Sequence, residues 1–329
     1  MKKWLIFEIC TLVAVLAIAI WVFATMTTGG DLPASPEITP QTTQETVPET
    51  TEETLGWMTF PADRELTAQQ AFVYNVNTRE FTFLLGEKTD RVYPASITKL
   101  FTAYVALQFL EADQVITAGD VLDMVGYGSS VAGIEKGNAL TVGMLVQAMM
   151  LPSGNDAAYI LADAAGRVIA EDPQIGAGSA VTAFLQEMNG QARALGLKNT
   201  QFANPDGYHS PDHYTTFADL AIIAEKVLEN EVITYCTQMS KETVKFATGE
   251  KKDWENTNFL VVPESEYYCP IATGLKTGQT PSAGSCLLSA FEEDGQQWVI
   301  GVFGCPDIPD RFEDTLQLLN QTLGITQED

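Results

Sequence analysis

The sequence predicts a mixed α/β domain: an antiparallel sheet flanked by helices, with a mainly helical lobe between the strands of its two ends. Three observations predict it. Strand-like segments lie near residues 71–85 and again from about Val232 onward. Helix-length apolar segments fill the interval between them. The composition is 46% hydrophobic over 329 residues, enough to build a sizeable core. Strands at both ends join most simply if the early hairpin adds to the late strands in one sheet.

The elements are taken in chain order. Met1-Lys2-Lys3 precedes an apolar stretch over 4–26 in which Glu8 is the sole charge. Ile9 to Met26 has roughly the length needed to cross a bilayer as a helix. The two lysines keep the N-terminus cytoplasmic, so the chain beyond the apolar run is exported. An uncleaved anchor fits the length of the run. A signal peptide cut after Val22-Phe23-Ala24 is the competing reading. Residues 27–57 are dominated by Thr, Pro and Glu, as in Pro48-Glu49-Thr50-Thr51-Glu52-Glu53. Too few large apolar residues occur there to offset the entropy of ordering, so a disordered linker is expected.

The folded domain is expected over 58–325. Ala71–Val76 and Glu80–Leu85 flank Asn77-Thr78-Arg79 as a β-hairpin. Pro94-Ala95-Ser96 opens a largely buried helix through about Leu110. Leu140 to Met150 reads as a second helix, halted by Pro152. Further helices are expected over Asp156–Val168, Phe184–Leu195 and Phe217–Leu228. From Val232 the pattern turns strand-like, including Thr243–Ala247 and Gly274–Thr277. Ser285–Ala290 and Trp298–Phe303 form a hairpin around Asp294-Gly295, and a last helix runs over Arg311–Leu323.

Composition narrows the chemistry. The 18 Lys+Arg against 43 Asp+Glu give a formal charge of −25, which leaves no cationic surface to replace counterions on nucleic acid. Cys236, Cys269, Cys286 and Cys305 are widely spaced without a CxxC pair, and His209 and His213 lack the Glu of an HExxH motif, so no metal site is expected. Both histidines read as loop or cap contacts, and Asp219 and Glu225 as a solvated helix face. No segment announces a cofactor. A hydrolase built from this chain has to activate its nucleophile with few histidines.

Three short patterns meet that requirement. Ser96-Ile97-Thr98-Lys99 places Lys99 one helical turn beyond Ser96, on the same face. A serine hydroxyl is a poor nucleophile until a base takes its proton, and a lysine desolvated among other cations becomes such a base. Ser153-Gly154-Asn155, after Leu151-Pro152, brings a hydroxyl and an amide two residues apart to one turn. Lys276-Thr277-Gly278 offers a cation, a hydroxyl for a carboxylate, and a glycine that permits close backbone approach on a strand. Alone each is weak. About one SxxK is expected by chance in a chain of this length, and about 0.1 KTG. As bare patterns they read as a capped helix, a second helix cap and an ordinary strand.

In this order the three form the motif set of penicillin-recognising serine enzymes. The chain resembles the low-molecular-mass penicillin-binding proteins, the serine D-alanyl-D-alanine carboxypeptidases of peptidase family S11. The resemblance runs from about Ala71 to Leu323 through Tyr93-Pro94-Ala95-Ser96-Ile97-Thr98-Lys99, Leu151-Pro152-Ser153-Gly154-Asn155-Asp156, Asn204-Pro205-Asp206-Gly207 and Gly274-Leu275-Lys276-Thr277-Gly278-Gln279-Thr280. It implies a DD-peptidase/β-lactamase-like fold and cleavage of the terminal D-alanine from peptidoglycan stem peptides ending in D-Ala-D-Ala. It implies an acyl-enzyme on Ser96, with Lys99 as base and Ser153 and Asn155 completing the proton and hydrogen-bond network. Lys276, Thr277 and Gly278 belong to the substrate strand. The N–H groups of Ser96 and Gln279 form the oxyanion hole. Arg311 either helps neutralise the substrate carboxylate or is a solvated helix-start residue. β-Lactams are the implied covalent inhibitors. The implied location is the extracytoplasmic face of the bacterial membrane, N-terminally anchored, or secreted if the segment is cleaved. A β-lactamase on the same fold needs a deacylating water held by a carboxylate, which no segment announces. A penicillin-binding sensor needs a signalling domain that Met1 to Lys3 does not offer. Carboxypeptidase against endopeptidase preference, and the pairing of the cysteines, stay open.

Overall fold

The computed structural model describes residues 57–61 and 63–325. The apolar run over 4–26 and the Thr/Pro/Glu-rich stretch up to Gly56 lie outside the described residues. Trp57, the first described residue, donates its indole N–H to Asn320 Oδ1 at 2.9 Å.

Eleven strands and seven α-helices succeed one another along the described residues. They are β1 (Gln70–Asn75), β2 (Glu80–Leu85), β3 (Arg91–Val92), α1 (Thr98–Ala106), β4 (Val115–Thr117), β5 (Ala139–Thr141), α2 (Val142–Met150), α3 (Asn155–Ile169) and α4 (Ala177–Ala194). Then come β6 (Thr215–Thr216), α5 (Phe217–Leu228), α6 (Glu231–Gln238), β7 (Lys241–Lys245), β8 (Lys251–Glu255), β9 (Ala272–Thr280), β10 (Gly284–Glu293), β11 (Gln296–Cys305) and α7 (Ile308–Leu323).

The principal sheet is antiparallel, in the order β2-β1-β11-β10-β9. The early hairpin thus joins the late strands, as the pattern predicts. The period-2 alternation of a strand splits the core in two. Ala71, Val73, Ile300 and Val302 point to one face, where Phe312, Leu316 and Leu319 of α7 cover them. Phe72, Tyr74, Leu288, Val299 and Phe303 point to the other, against the helical lobe. α7 is secured at both ends by a capping box between Asp307 and Asp310 and by Gly324 in the left-handed region. At the centre of the lobe α1 buries Leu100, Phe101, Ala103 and Val105 completely. Its polar residues Thr98, Lys99 and Thr102 are buried with them, so the helix lies inside the domain on nearly every side.

Several expected bounds move, each for a local reason. α2 starts at Val142 because Ala139–Thr141 pairs with β4, and the Thr141 hydroxyl caps the helix by accepting from Met144 N. α4 begins at Ala177 rather than Phe184. The segment from Val232 read as strand-like is the helix α6, capped by Asn230 Oδ1, which accepts from Val232 N and Ile233 N. Asp219 is not on a solvated face. It is 3% exposed and accepts from Asn199 N at 2.8 Å and Thr200 Oγ1 at 2.7 Å. Glu225 is partly buried, accepting from the Tyr74 hydroxyl and pairing with Arg79. All four described cysteines are buried free thiols.

Candidate active site

The site forms where the N-terminus of the buried helix meets the edge strand β9. Ser96 stands on a 3-10 turn, Ala95–Ile97, that leads into α1. Ala95 takes φ +47°, in the left-handed region that costs a non-glycine residue about 1–2 kcal/mol. Two neighbours hold it there. A Cβ on Gly278 would come within 2.9 Å of Pro94 O and 3.1 Å of Ala95 Cβ, so the missing side chain in Lys276-Thr277-Gly278 makes room for the Ser96 turn itself. Gly207, with φ +82°, lies so near that a Cβ there would sit 1.8 Å from Ala95 O.

Lys99 emerges one turn later, fully buried. Its Nζ donates to Ser96 Oγ at 2.7 Å and to the main-chain O of Asp206 at 2.8 Å. Burial pushes the ammonium down to about 8, opposed by the carboxylates of Asp206 and Asp156. A substantial neutral fraction beside a serine hydroxyl is what a lysine base requires.

Ser153 and Asn155 are both buried, Ser153 with φ +61° at the start of α3. Among the described residues neither side chain makes a hydrogen bond to another protein group, and Asn155 borders the cavity described below. Asp156, the next residue, is fully engaged. Its carboxylate accepts from Ala132 N, Ile134 N and Ala157 N at 2.9–3.0 Å. That fastens the loop carrying Ser129 and Ser130 to the base of α3.

Lys276 is 1% exposed on β9. Burial, then the neighbouring charges of Lys99 and Arg311, push its ammonium well below the ordinary lysine value. Among the described residues its Nζ has only distant hydroxyl and carbonyl partners, Thr277 Oγ1 at 3.3 Å and Thr257 Oγ1 and Thr277 O at 3.4 Å. Thr257 and Thr277 share a hydrogen bond at 2.7 Å. Arg311 is buried at 5% exposure, which excludes the solvated reading. Its Nη1 reaches Gly278 O at 3.5 Å, Nε has no partner among the described residues, and burial lowers its value to about 10. Three buried basic groups, Lys99, Lys276 and Arg311, therefore belong to this region, and among the described residues none forms an ion pair with a carboxylate. An anionic ligand would relieve all three.

Ser96, Asn155 and Gln279 border one cavity of about 490 Å³, together with Ser130, Asp206 and Tyr208. Ser153, Lys276, Thr277, Gly278 and Arg311 lie outside its immediate lining. Sequence reasoning missed the Ser129–Ser130 loop, Thr257 and Asp206. Only Asp206 carried a signal, the turn-forming Asn204-Pro205-Asp206-Gly207. His213 is a structural contact: its Nδ1 accepts from Ala203 N, its Nε2 meets Thr98 Oγ1 at 2.7 Å, and burial lowers it to about 4. His209 is exposed, as expected of a loop residue, but stands at the cavity's rim near Ser282 and edge-on to Tyr93.

Known proteins share this frame. The sequence profile described as D-alanyl-D-alanine carboxypeptidase, peptidase S11, matches residues 58–306. The D-alanyl-D-alanine carboxypeptidase DacF of Bacillus subtilis is 30% identical over 254 residues, covering 75% of this chain and 58% of its own length. The D-alanyl-D-alanine carboxypeptidase of Streptomyces sp. strain K15 is 32% identical over 257 residues, 75% of this chain and 84% of that protein. The crystal structure of the Streptomyces K15 DD-transpeptidase superposes with a TM-score of 0.71 at 30% identity, covering 80% of this chain and 99% of that one. A penicillin-binding protein from Listeria monocytogenes, in its ampicillin-bound form, gives a TM-score of 0.62 at 26% identity over 78% and 97% of the two chains. The chain thus spans little more than half the length of the Bacillus relative.

Proposed function

The chain belongs to peptidase family S11, the serine D-alanyl-D-alanine carboxypeptidases, and from that premise we propose that residues 58–325 remove the terminal D-alanine from peptidoglycan stem peptides through an acyl-enzyme on Ser96. The observation that carries this reading is the 2.7 Å contact between Ser96 Oγ and the buried Lys99 Nζ.

The proton path starts at that contact. Neutral Lys99 takes the Ser96 hydroxyl proton as Oγ attacks the carbonyl carbon between the two D-alanines. The developing oxyanion is met by the N–H groups of Ser96 and Gln279, both of which border the cavity. The bond to the terminal D-alanine breaks, and its nitrogen receives the proton carried by Lys99, directly or through Ser153. Water then attacks the ester carbonyl, giving a proton to Lys99, and Ser96 Oγ recovers a proton as the shortened peptide leaves. Asn155 orients the acyl amide. Lys276, Thr277 and Arg311 hold the terminal carboxylate. An incoming carboxylate offsets the burial that disfavours the charged form of Lys276, so substrate capture and protonation of Lys276 are coupled.

Penicillins enter the same path, with their ring amide in place of the scissile bond and their carboxylate at Lys276. Export across the membrane, and anchoring there by the apolar segment after Lys2-Lys3, complete the reading. It is supported by the charge bias of that segment and by a cell-wall substrate. Among the described residues no helix is long and apolar enough to cross a membrane.

The test is intact-mass analysis with penicillin, beside D-alanine release from a D-Ala-D-Ala-ended pentapeptide. One penicilloyl adduct on Ser96 and release of D-alanine are expected, both lost in Ser96→Ala. An adduct on another residue refutes the assignment. Rapid turnover of penicillin without peptide cleavage would favour the β-lactamase alternative.

A further inference from the structure

Asp206 has no part in that proton path, yet it sits against the proposed base. It is 1% exposed and is the one carboxylate among the residues bordering the cavity. Its main-chain carbonyl accepts from Lys99 Nζ at 2.8 Å. One side-chain oxygen accepts from Tyr208 N at 3.1 Å. The other, Oδ2, is buried with no partner among the described residues. A buried carboxylate oxygen without a donor is costly and is retained only where something compensates it. The residue cannot drift away. Gly207 next to it packs onto Ala95, and Asn204 Oδ1 closes the turn by accepting from Gly207 N at 2.8 Å.

The titratable groups around this pair come from every neighbouring element. Asp156 and Tyr159 lie on α3, Lys276 on β9 and His213 just ahead of β6. Tyr159 is buried and pushed upward by burial and by Asp206, so it stays neutral. His213 is neutral above about 4. Asp156 spends its carboxylate on three backbone N–H groups. That leaves Asp206 as the carboxyl beside Lys99 with one oxygen uncommitted: burial pushes it upward, and the charge of a protonated Lys99 opposes that shift and favours the carboxylate.

We propose that Asp206 is a positioning residue for the base: its carbonyl fixes Lys99 Nζ beneath Ser96, and its carboxylate supplies the counter-charge for the proton that Lys99 carries between steps. The proposal rests on Lys99 acting as base. In each half-reaction Lys99 gains a proton and gives it up. While charged it stands near Lys276, and without Asp206 the intermediate ammonium would have Asp156 as its remaining negative neighbour among the described residues. The direction of the perturbation at Lys99 agrees, since Asp206 is the largest influence raising it against burial.

The experiment measures single-turnover acylation of the full-length protein by a fluorescent penicillin from about pH 6 to about pH 10, for the native chain, Asp206→Asn and Asp206→Glu. The native rate rises through a limb near 8, where Lys99 loses its proton. Asn at 206 keeps the acceptor for Tyr208 N and removes the charge. Its limb moves to lower pH by about one unit, as expected for loss of a nearby opposite charge. Its plateau falls by about threefold or more, because a weaker base gains less on proton transfer. Asp206→Glu restores the limb towards 8. The limb position is read from the shape of the profile and does not depend on how much protein is folded. A limb in Asp206→Asn that coincides with the native one overturns the proposal, whatever the plateau does. So does a Glu variant shifted as far as Asn. Absence of any Ser96 adduct in the native protein would instead overturn the acyl-enzyme reading on which the proposal rests.

Discussion

Replacing Gly207 with alanine tests whether the contact between the 204–208 turn and the Ser96 turn builds the site. A Cβ there would lie 1.8 Å from Ala95 O, 2.3 Å from Ala95 C and 3.0 Å from Ser96 N. Ordinary contact begins near 3.4 Å, so the two turns must separate by about 1.6 Å. The partners are backbone atoms, which cannot swing aside as a long side chain would. Alanine at φ +82° also carries about 1–2 kcal/mol of backbone strain. The separation falls between Ser96 and Asp206, the residue whose carbonyl holds Lys99. A misplacement of about 1 Å at a reacting centre costs on the order of 10²-fold in rate. Penicillin acylation of Gly207→Ala should therefore fall about 100-fold, beyond what a stability loss of about 1–3 kcal/mol explains in protein that is still folded. The assay is the acylation rate measured well below the unfolding temperature, with thermal unfolding recorded beside it. Folded Gly207→Ala that acylates within threefold of the native rate would show that the turns have no shared geometry to protect.

Acylation should rise roughly tenfold between pH 7 and pH 9, because Lys99 is idle while protonated below about 8 and becomes a base above it; a rate flat across that window removes Lys99 from the role. Lys276→Ala should slow cleavage of a free-acid peptide at least tenfold, from the loss of a charge-assisted contact worth about 1.5–3 kcal/mol. The C-terminally amidated peptide should be affected much less, and equal losses would place the carboxylate elsewhere. The full-length protein should sediment with membranes, whereas a chain beginning at Thr54 should stay soluble and active. N-terminal sequencing that begins at Thr25 would end the anchor reading and leave the enzyme untouched.

Legibility in the sequence tracks how local each cause is. α5 runs over Phe217–Leu228 as expected, because Thr216 caps it and a regular apolar stripe fills it. The β10–β11 hairpin is equally plain, since Asp294-Gly295 supplies the two positive φ values its turn needs. α6 reads as strand because Val232, Ile233, Thr234 and Tyr235 favour strands. Its Asn230 cap is the local counter-signal, and it outweighs them in the fold. Ser96, Lys99, Ser153, Asn155 and Lys276 stand out through motif spacing. Their mutual approach is long-range, and so is the clamp of Asp156 on Ala132 and Ile134 across a separation no local pattern encodes. Asp219 illustrates the same limit. On a helical wheel it is a surface residue, and the chain at Asn199 and Thr200 packs onto it.

The three basic groups buried at the site, Lys99, Lys276 and Arg311, have a kinetic corollary. The protein's outer field is strongly negative, at a formal −25. An anion arriving from solution meets repulsion first and attraction only inside. Mobile ions screen charges beyond about 8 Å at physiological ionic strength, while contacts within a desolvated pocket are screened far less. Salt therefore removes the barrier and spares the well. The bimolecular association of a free-acid peptide should accelerate as salt is added, the reverse of a conventionally steered encounter, and its amidated counterpart should show a shallower slope.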